Sequence, residues 1–232
     1  MKNKSFKFWS RQDIADKFGL DSKLNCQDLD NWLNNQIKLS SEEERELLRL
    51  QQKLRANVDI WNEQELTIKF IALLMDMVDF DTPKFKSFAN RKLSGKIDGE
   101  EVSSEVDLMV ATGKYEPKAP YFCLHEFKKE QGVDNDPYGQ LLIAMMTAEE
   151  LNRSDNPVYG AFIIGRNWFF LTLKNRKYCV SDEFVATRED IFQIYTTLKN
   201  LKVIIEQALD QNQASDIPEQ SKWKSPATNI KA

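Results

Sequence analysis

The chain is poor in cysteine and histidine, with 3 Cys and 1 His in 232 residues. Cys26, Cys123 and Cys179 lie far apart, are odd in number and form no Cys-x-x-Cys pair. That pattern fits reduced thiols in a cytosol better than a disulfide frame. A lone His125 without a cysteine cluster argues against a zinc site. Neither Gly-x-Gly-x-x-Gly nor a P-loop occurs, so nucleotide-driven work is not expected. Asp98-Gly99-Glu100-Glu101 lacks the ligand spacing of an EF-hand and reads as a hairpin turn. No apolar run reaches the length of a membrane span, and Met1 to Trp9 lacks the apolar core of a signal peptide. The expectation is a cytoplasmic protein with no membrane partner. Positive charge is not in excess either: 32 Lys and Arg face 36 Asp and Glu, for a net charge of −4 and a pI near 5.3. Such a balance excludes coating nucleic acid by bulk charge and leaves room for a local basic groove. Internal repeats and low-complexity tracts are also absent.

What is present suits a globular domain. Hydrophobic residues make up 41% and charged residues 29%, enough to bury a core without staples. Two stretches are locally basic, Lys84 to Lys96 and Arg166 to Lys177, and each is either a groove or a solvated face.

The first sixty residues read as helices. Ser10 caps one through Phe18, Asp28 to Ile37 carries Leu29, Trp32 and Leu33 on one side, and Ser41 with Glu44 makes a capping box. A stronger helix runs from Asn62 to about Val78. Strands are expected over Phe85–Ile97 and Val102–Ala111, joined at Asp98-Gly99, and over Tyr121–Lys128. Asp136-Pro137 starts a helix to about Leu151 that is apolar nearly all round, hence buried. Tyr159–Ile164 and Trp168–Leu173 form a second hairpin, and Thr187 begins a last helix to about Leu209. This order gives an α/β fold with a mixed central sheet flanked by helices. It divides into an N-terminal helical segment (1–60), a main domain (61–210) and a polar tail (211–232) expected to be disordered.

The chemistry concentrates in the third strand. Because strand side chains alternate, Leu124, Glu126 and Lys128 share one face, while Cys123, His125 and Phe127 share the other. An acid and a lysine thus stand together at the end of an apolar strand, where a charge pair is costly. On the preceding strand, Val106, Leu108 and Val110 form one face, and Asp107 points the other way. If the two strands are neighbours, Asp107 lies beside Glu126. Two converging carboxylates repel unless a cation sits between them, and oxygen-only ligation suits Mg²⁺. On the helix from Asn62, Leu66, Phe70, Leu73, Leu74 and Met77 cluster, with Glu63 amid that apolar face. Glu65 is the capping-box partner of Asn62, whereas Glu63 is either functional or a first-turn acid favoured by the helix dipole.

These residues resemble the PD-(D/E)XK nuclease superfamily: an inward Glu63, then Asp107, then Glu126-Phe127-Lys128, then Gln140 in Tyr138-Gly-Gln-Leu-Leu. The likeness spans about Trp61 to Leu173. Asn62-Glu-Gln-Glu-Leu and Tyr159-Gly-Ala-Phe-Ile-Ile-Gly are especially similar to the N-terminal nuclease domain of type I restriction subunits. Val106 stands where the superfamily motif has proline. The resemblance implies a restriction-endonuclease-like fold and a Mg²⁺-dependent or Mn²⁺-dependent nuclease acting on nucleic acid, DNA before RNA, in defence or repair. It implies that Asp107 and Glu126 hold the metal with the Phe127 carbonyl and that Lys128 orients the attacking water. It further implies that Glu63 assists at a second metal or a metal-bound water, and that Gln140 orients the site or the phosphate backbone. Against it stand plainer roles: a solvated Glu126–Lys128 pair, a turn-end Asp107, a Gln140 that satisfies backbone groups. The alternative function is a catalytically weak nucleic-acid-binding or protein-interaction module on the same fold. Ile191, Ile194, Leu198, Leu201, Ile205 and Ala208 alternate in spacings of three and four. That is either a homodimer seam along the 188–210 helix, a face for a partner subunit, or a stripe covering the core.

Overall fold

A computed structural model describes residues 4–132 and 136–215, with side chains as far as 211. Among the described residues, eight strands numbered in chain order form one mixed sheet in the order β1-β7-β6-β5-β4-β3-β2, and β8 pairs with β6 beside that path. The strands are β1 (Asp21–Ser22), β2 (Lys86–Ile97), β3 (Glu100–Thr112), β4 (Lys118–Lys128), β5 (Val158–Ile164), β6 (Asn167–Lys174), β7 (Lys177–Val180) and β8 (Phe184–Val185). Pairing is antiparallel except for β4 with β5 and β1 with β7. A parallel neighbour needs a crossover, and one helix supplies it between β4 and β5. The helices are α1 (Arg11–Phe18), α2 (Gln27–Leu33), α3 (Ser41–Asn57), α4 (Glu63–Leu66), α5 (Ala72–Val78), α6 (Pro137–Asn152) and α7 (Asp190–Ser215). Helix α6 joins β4 to β5 and is buried on nearly every side, from Leu141 to Ala148.

Two cores lie on either face of the sheet. On one, α6 and the N-terminal Phe6, Trp9, Ile14 and Phe18 pack against Val106, Met109 and Leu124. On the other, α2, α3, α5 and α7 cover Val110, Cys123, Phe127 and Phe170. Gly139 lets the chain pass close to α6, since a Cβ there would stand 2.4 Å from the Trp9 carbonyl oxygen. The main elements fall where hydrophobic periodicity predicts them, with β1, β7 and β8 additional.

Several local expectations are corrected. The cap of α3 is Ser40, boxed with Glu43, one residue before the predicted pair. Helix α7 continues through Ser215, past the predicted start of the tail; the rest of that tail, 216–232, lies outside the described residues. A π-helical turn, Thr67–Ile71, links α4 to α5. Its extra residue rotates the apolar stripe, so Ile71 and Met75 are buried and Leu73 is 36% exposed. Cys26 and Cys179 are joined by a disulfide across 153 residues of sequence, their Cα atoms 6.0 Å apart. Reduced thiols were expected because spacing along the chain does not reveal that β7 runs beside the start of α2. A disulfide belongs to oxidising chemistry, so the cysteines no longer support a cytosolic reading. Cys123 stays free and buried. The stripe of α7 is a core face: Ile191, Ile194, Leu198, Leu201 and Ile205 are all buried within this chain. With those side chains already covered, the stripe is not available as a dimer seam. Among the described residues no helix is long and apolar enough to cross a membrane.

Candidate active site

Strand β4 pairs with β3 through Leu108 opposite His125, and one further step brings Asp107 to the level of Glu126. Asp107 does not simply continue the alternation of β3. Leu108 and Val110 face the core under α5 and α7, whereas Val102 and Val106 face the core under α6. The predicted face of Val106, Leu108 and Val110 is therefore split, and the switch falls at Asp107. Across the ladder, Phe88, Leu93 and Ile97 of β2 all pack toward α6, so that strand changes phase too. The switch there falls near Asn90, which has a φ of 51°, a left-handed conformation that asparagine tolerates better than most residues. At this kink Asp107 turns toward β4, and its Oδ2 accepts the Phe127 N–H at 2.7 Å.

Glu126 is buried, 7% exposed, at the end of β4. Its Oε1 accepts from Lys128 Nζ at 2.7 Å and from Gln140 Nε2 at 2.9 Å. Lys128 Nζ also donates to the Phe127 carbonyl at 2.9 Å and stands 3.6 Å from Glu63 Oε2. Glu63 is the first residue of α4 and half exposed. Its neighbour Glu65 closes the capping box with Asn62, as the sequence predicts. The five predicted residues thus meet at one end of the sheet. Asp107, Glu126 and Glu63 do not converge as three ligands, and among the described residues no group of three or more His, Cys, Asp and Glu side chains is set to hold a metal ion.

The electrostatics of this cluster are unbalanced. Glu126 is pushed up to about 7, first by burial and then by Asp107 beside it, against the opposing pull of Lys128. Burial also raises Asp107, more than the Phe127 N–H and Lys128 lower it. For Lys128, burial works downward, but Glu126, Asp107 and Glu63 outweigh it and its pKa rises. Lys128 therefore remains an ammonium. The Gln140 Oε1 is buried with no hydrogen-bond partner among the described residues, an uncommon state for an amide oxygen. The oxygens here that could serve a hard cation such as Mg²⁺, which takes few protein ligands, are the Asp107 and Glu126 carboxylates, the Gln140 amide oxygen and the Phe127 carbonyl, the last already accepting from Lys128.

His125 sits apart from this chemistry. It points to the opposite face, its Nε2 3.2 Å from Cys123 Sγ, and burial lowers its pKa to about 3. It is a neutral packed residue, as the alternation of β4 implies. The two basic stretches are partly committed to ion pairs, with Lys86, Lys92, Lys174 and Lys177 outside them among the described residues. Lys84 pairs with Asp210, Arg91 with Glu116, Lys96 with Glu101, Arg166 with Glu130 and Asp59, and Arg176 with Asp98 and Glu150. Sequence reading missed Asn90 and the cleft beside it. The only hint was an asparagine inside a strand, where that residue is disfavoured.

Compared with known proteins, the chain matches no protein-family model and no curated protein.

Proposed function

We propose that this protein is a Mg²⁺-dependent or Mn²⁺-dependent nuclease of the PD-(D/E)XK type, with a restriction-endonuclease-like fold, that hydrolyses phosphodiester bonds in nucleic acid, DNA before RNA. The observation that carries the reading is the pair Asp107 and Glu126. Glu126 is buried and Asp107 half-buried beside it, both with raised pKa values and with one lysine to neutralise them. A structural role would favour balanced charge, since unneutralised buried acids destabilise the fold.

Asp107, Glu126 and the Phe127 carbonyl would hold the metal, with Gln140 Oε1 as a neighbouring neutral oxygen. Bound there, Mg²⁺ supplies polarisation of a phosphoryl oxygen and a lowered pKa for water. The remaining work falls to the chain itself. The Phe127 N–H fixes the Asp107 carboxylate, and Gln140 fixes that of Glu126. Lys128, kept protonated by its acids, offsets negative charge on a phosphate and orients the attacking water. Glu63, engaged with Lys128 rather than with the carboxylate pair, positions that ammonium. Purified protein is expected to cleave nucleic acid with Mg²⁺ or Mn²⁺ and to stop in EDTA. Asp107→Ala is expected to abolish cleavage while the circular dichroism spectrum stays native. A folded Asp107→Ala protein that cuts as well as the wild type would refute the proposal.

A further inference from the structure

Beside Asp107 the surface opens into a cleft of about 370 Å³, between the helix that carries Glu63 and the strands β2 and β3. That size falls within the roughly 300–1,000 Å³ of small-molecule sites. Its walls are mainly aliphatic, with Ile68, Ile71 and Met75 on the helical side and Ala89 and Leu108 on the sheet side. Ile68 is 59% exposed, an apolar surface left open next to charged groups. The cleft and the candidate site are continuous, because Glu63 and Asp107 line both.

We propose, on the basis of the nuclease reading, that this cleft seats an unstacked nucleobase next to the scissile phosphate, so that the substrate is single-stranded or locally unpaired nucleic acid. The charge of the lining decides the occupant. It holds two acids and no Lys, Arg or His, so it repels phosphate and accepts the neutral, flat part of a nucleotide. Hydrogen-bond acceptors predominate at its polar end, which suits the exocyclic amino groups of adenine, cytosine and guanine over thymine or uracil. Gln64 and Asn90, both exposed at the cleft, add amides that reach base edges. Two backbone irregularities flank the same cleft: the π-helical turn Thr67–Ile71 supplies Thr67, Ile68 and Ile71, and the left-handed Asn90 faces them. π-Turns inside helices concentrate at functional sites. A base inside a duplex cannot enter such a cleft without leaving its stack.

Ala72 and Ala89 line the two walls and are both exposed, so Ala72→Leu combined with Ala89→Ile narrows the cleft with little demand on the fold. Neither substitution adds an aromatic ring that could itself stack on a base. The probes are fluorescein-labelled oligo-dA, oligo-dC and oligo-dT and a duplex of equal length, titrated by anisotropy against the full chain in EDTA. Wild-type protein is expected to bind oligo-dA and oligo-dC roughly tenfold tighter than oligo-dT or duplex. The double variant, with an unchanged melting temperature, is expected to lose that preference. An oligo-dA carrying 2-aminopurine is expected to brighten on wild-type protein, reporting an unstacked base, and not on the variant. Equal binding of all four probes, or a folded double variant that binds like the wild type, overturns the proposal. If the anisotropy pattern appears while Mg²⁺ produces no cleavage, base recognition stands and the nuclease reading falls. Cleavage that proceeds equally in wild type and double variant leaves the nuclease and removes the base cleft.

Discussion

Two charge clusters in this protein are built from similar parts and behave in opposite ways. Arg176 joins the tip of the β2–β3 hairpin to α6 and β7. Its guanidinium takes both oxygens of Asp98, at 2.6 and 2.7 Å, and reaches Glu150 at 3.2 Å. The Arg176 hydrogen bond holds Asp98 below its ordinary pKa. Lys128 also gathers acids, but Glu126 and Asp107 around it are raised. The first cluster also sets one cation against two acids, but it is solvated, so water screens the excess and its charges favour the folded state modestly. The second closes around the buried Glu126, where water screens the surplus negative charge poorly. On the proposed nuclease reading, a bound metal ion would relieve that surplus.

The sharpest way to break this comparison is to remove each cation in turn. Lys128→Ala is expected to lower metal-dependent cleavage by on the order of 10²–10³-fold, while Arg176→Ala leaves cleavage within a factor of about two. Equal losses in initial-rate assays would mean that both clusters are structural. Metal titration sharpens it further. Adding Mn²⁺ at about 100 times its dissociation constant is expected to raise the unfolding free energy by about 2.7 kcal/mol, read as a higher melting temperature. Asp107→Asn is expected to erase that rise, while itself being neutral or stabilising in EDTA.

A smaller effect concerns pH. Glu126 has an ordinary value of 4.5 and is pushed up to about 7 in the fold, so the folded state holds its proton longer than the unfolded chain. Stability from this group is fully present below pH 4.5 and is lost as pH rises through about 7. Glu126→Gln is therefore expected to melt like the wild type near pH 4 and above it near pH 8. A difference in melting temperature that stays flat across that range would show that Glu126 is not strained in the apo protein. Smallest of all, Arg176→Ala is expected to lower the melting temperature by only a few degrees, less in high salt. A collapse of the fold would show that the hairpin tip is more than a surface tie.

Much of this was legible along the chain because it is local. Asn62 with Glu65, Asp136 with Pro137, and Asp98-Gly99 announce their caps and turn through residues a few positions apart. The alternation of β4 correctly separated Glu126 and Lys128 from His125. The errors arose where local rules are overridden. Periodicity assumes an unbroken helix or strand, so it missed the π-turn that exposes Leu73 and the kink that splits Val106 from Leu108. The heptad-like stripe of α7 read equally well as a seam or a core face, since the pattern records that a surface is covered and not by what.

Local preferences alone were enough to locate the main helices and the five longer strands, though not β1, β7, β8 or the π-turn, and to show which acids and lysine stand on neighbouring strand positions. These depend on steric and hydrogen-bonding preferences within a few residues. Only the tertiary structure decided that Cys26 meets Cys179, that Gln140 reaches Glu126, that Arg166 and Arg176 of the second basic stretch are held in ion pairs, and that a cleft opens beside Asp107. Each of those pairs residues far apart in the chain. Their meeting follows from strand order and from how α6 and α7 pack on the sheet, which no local preference encodes.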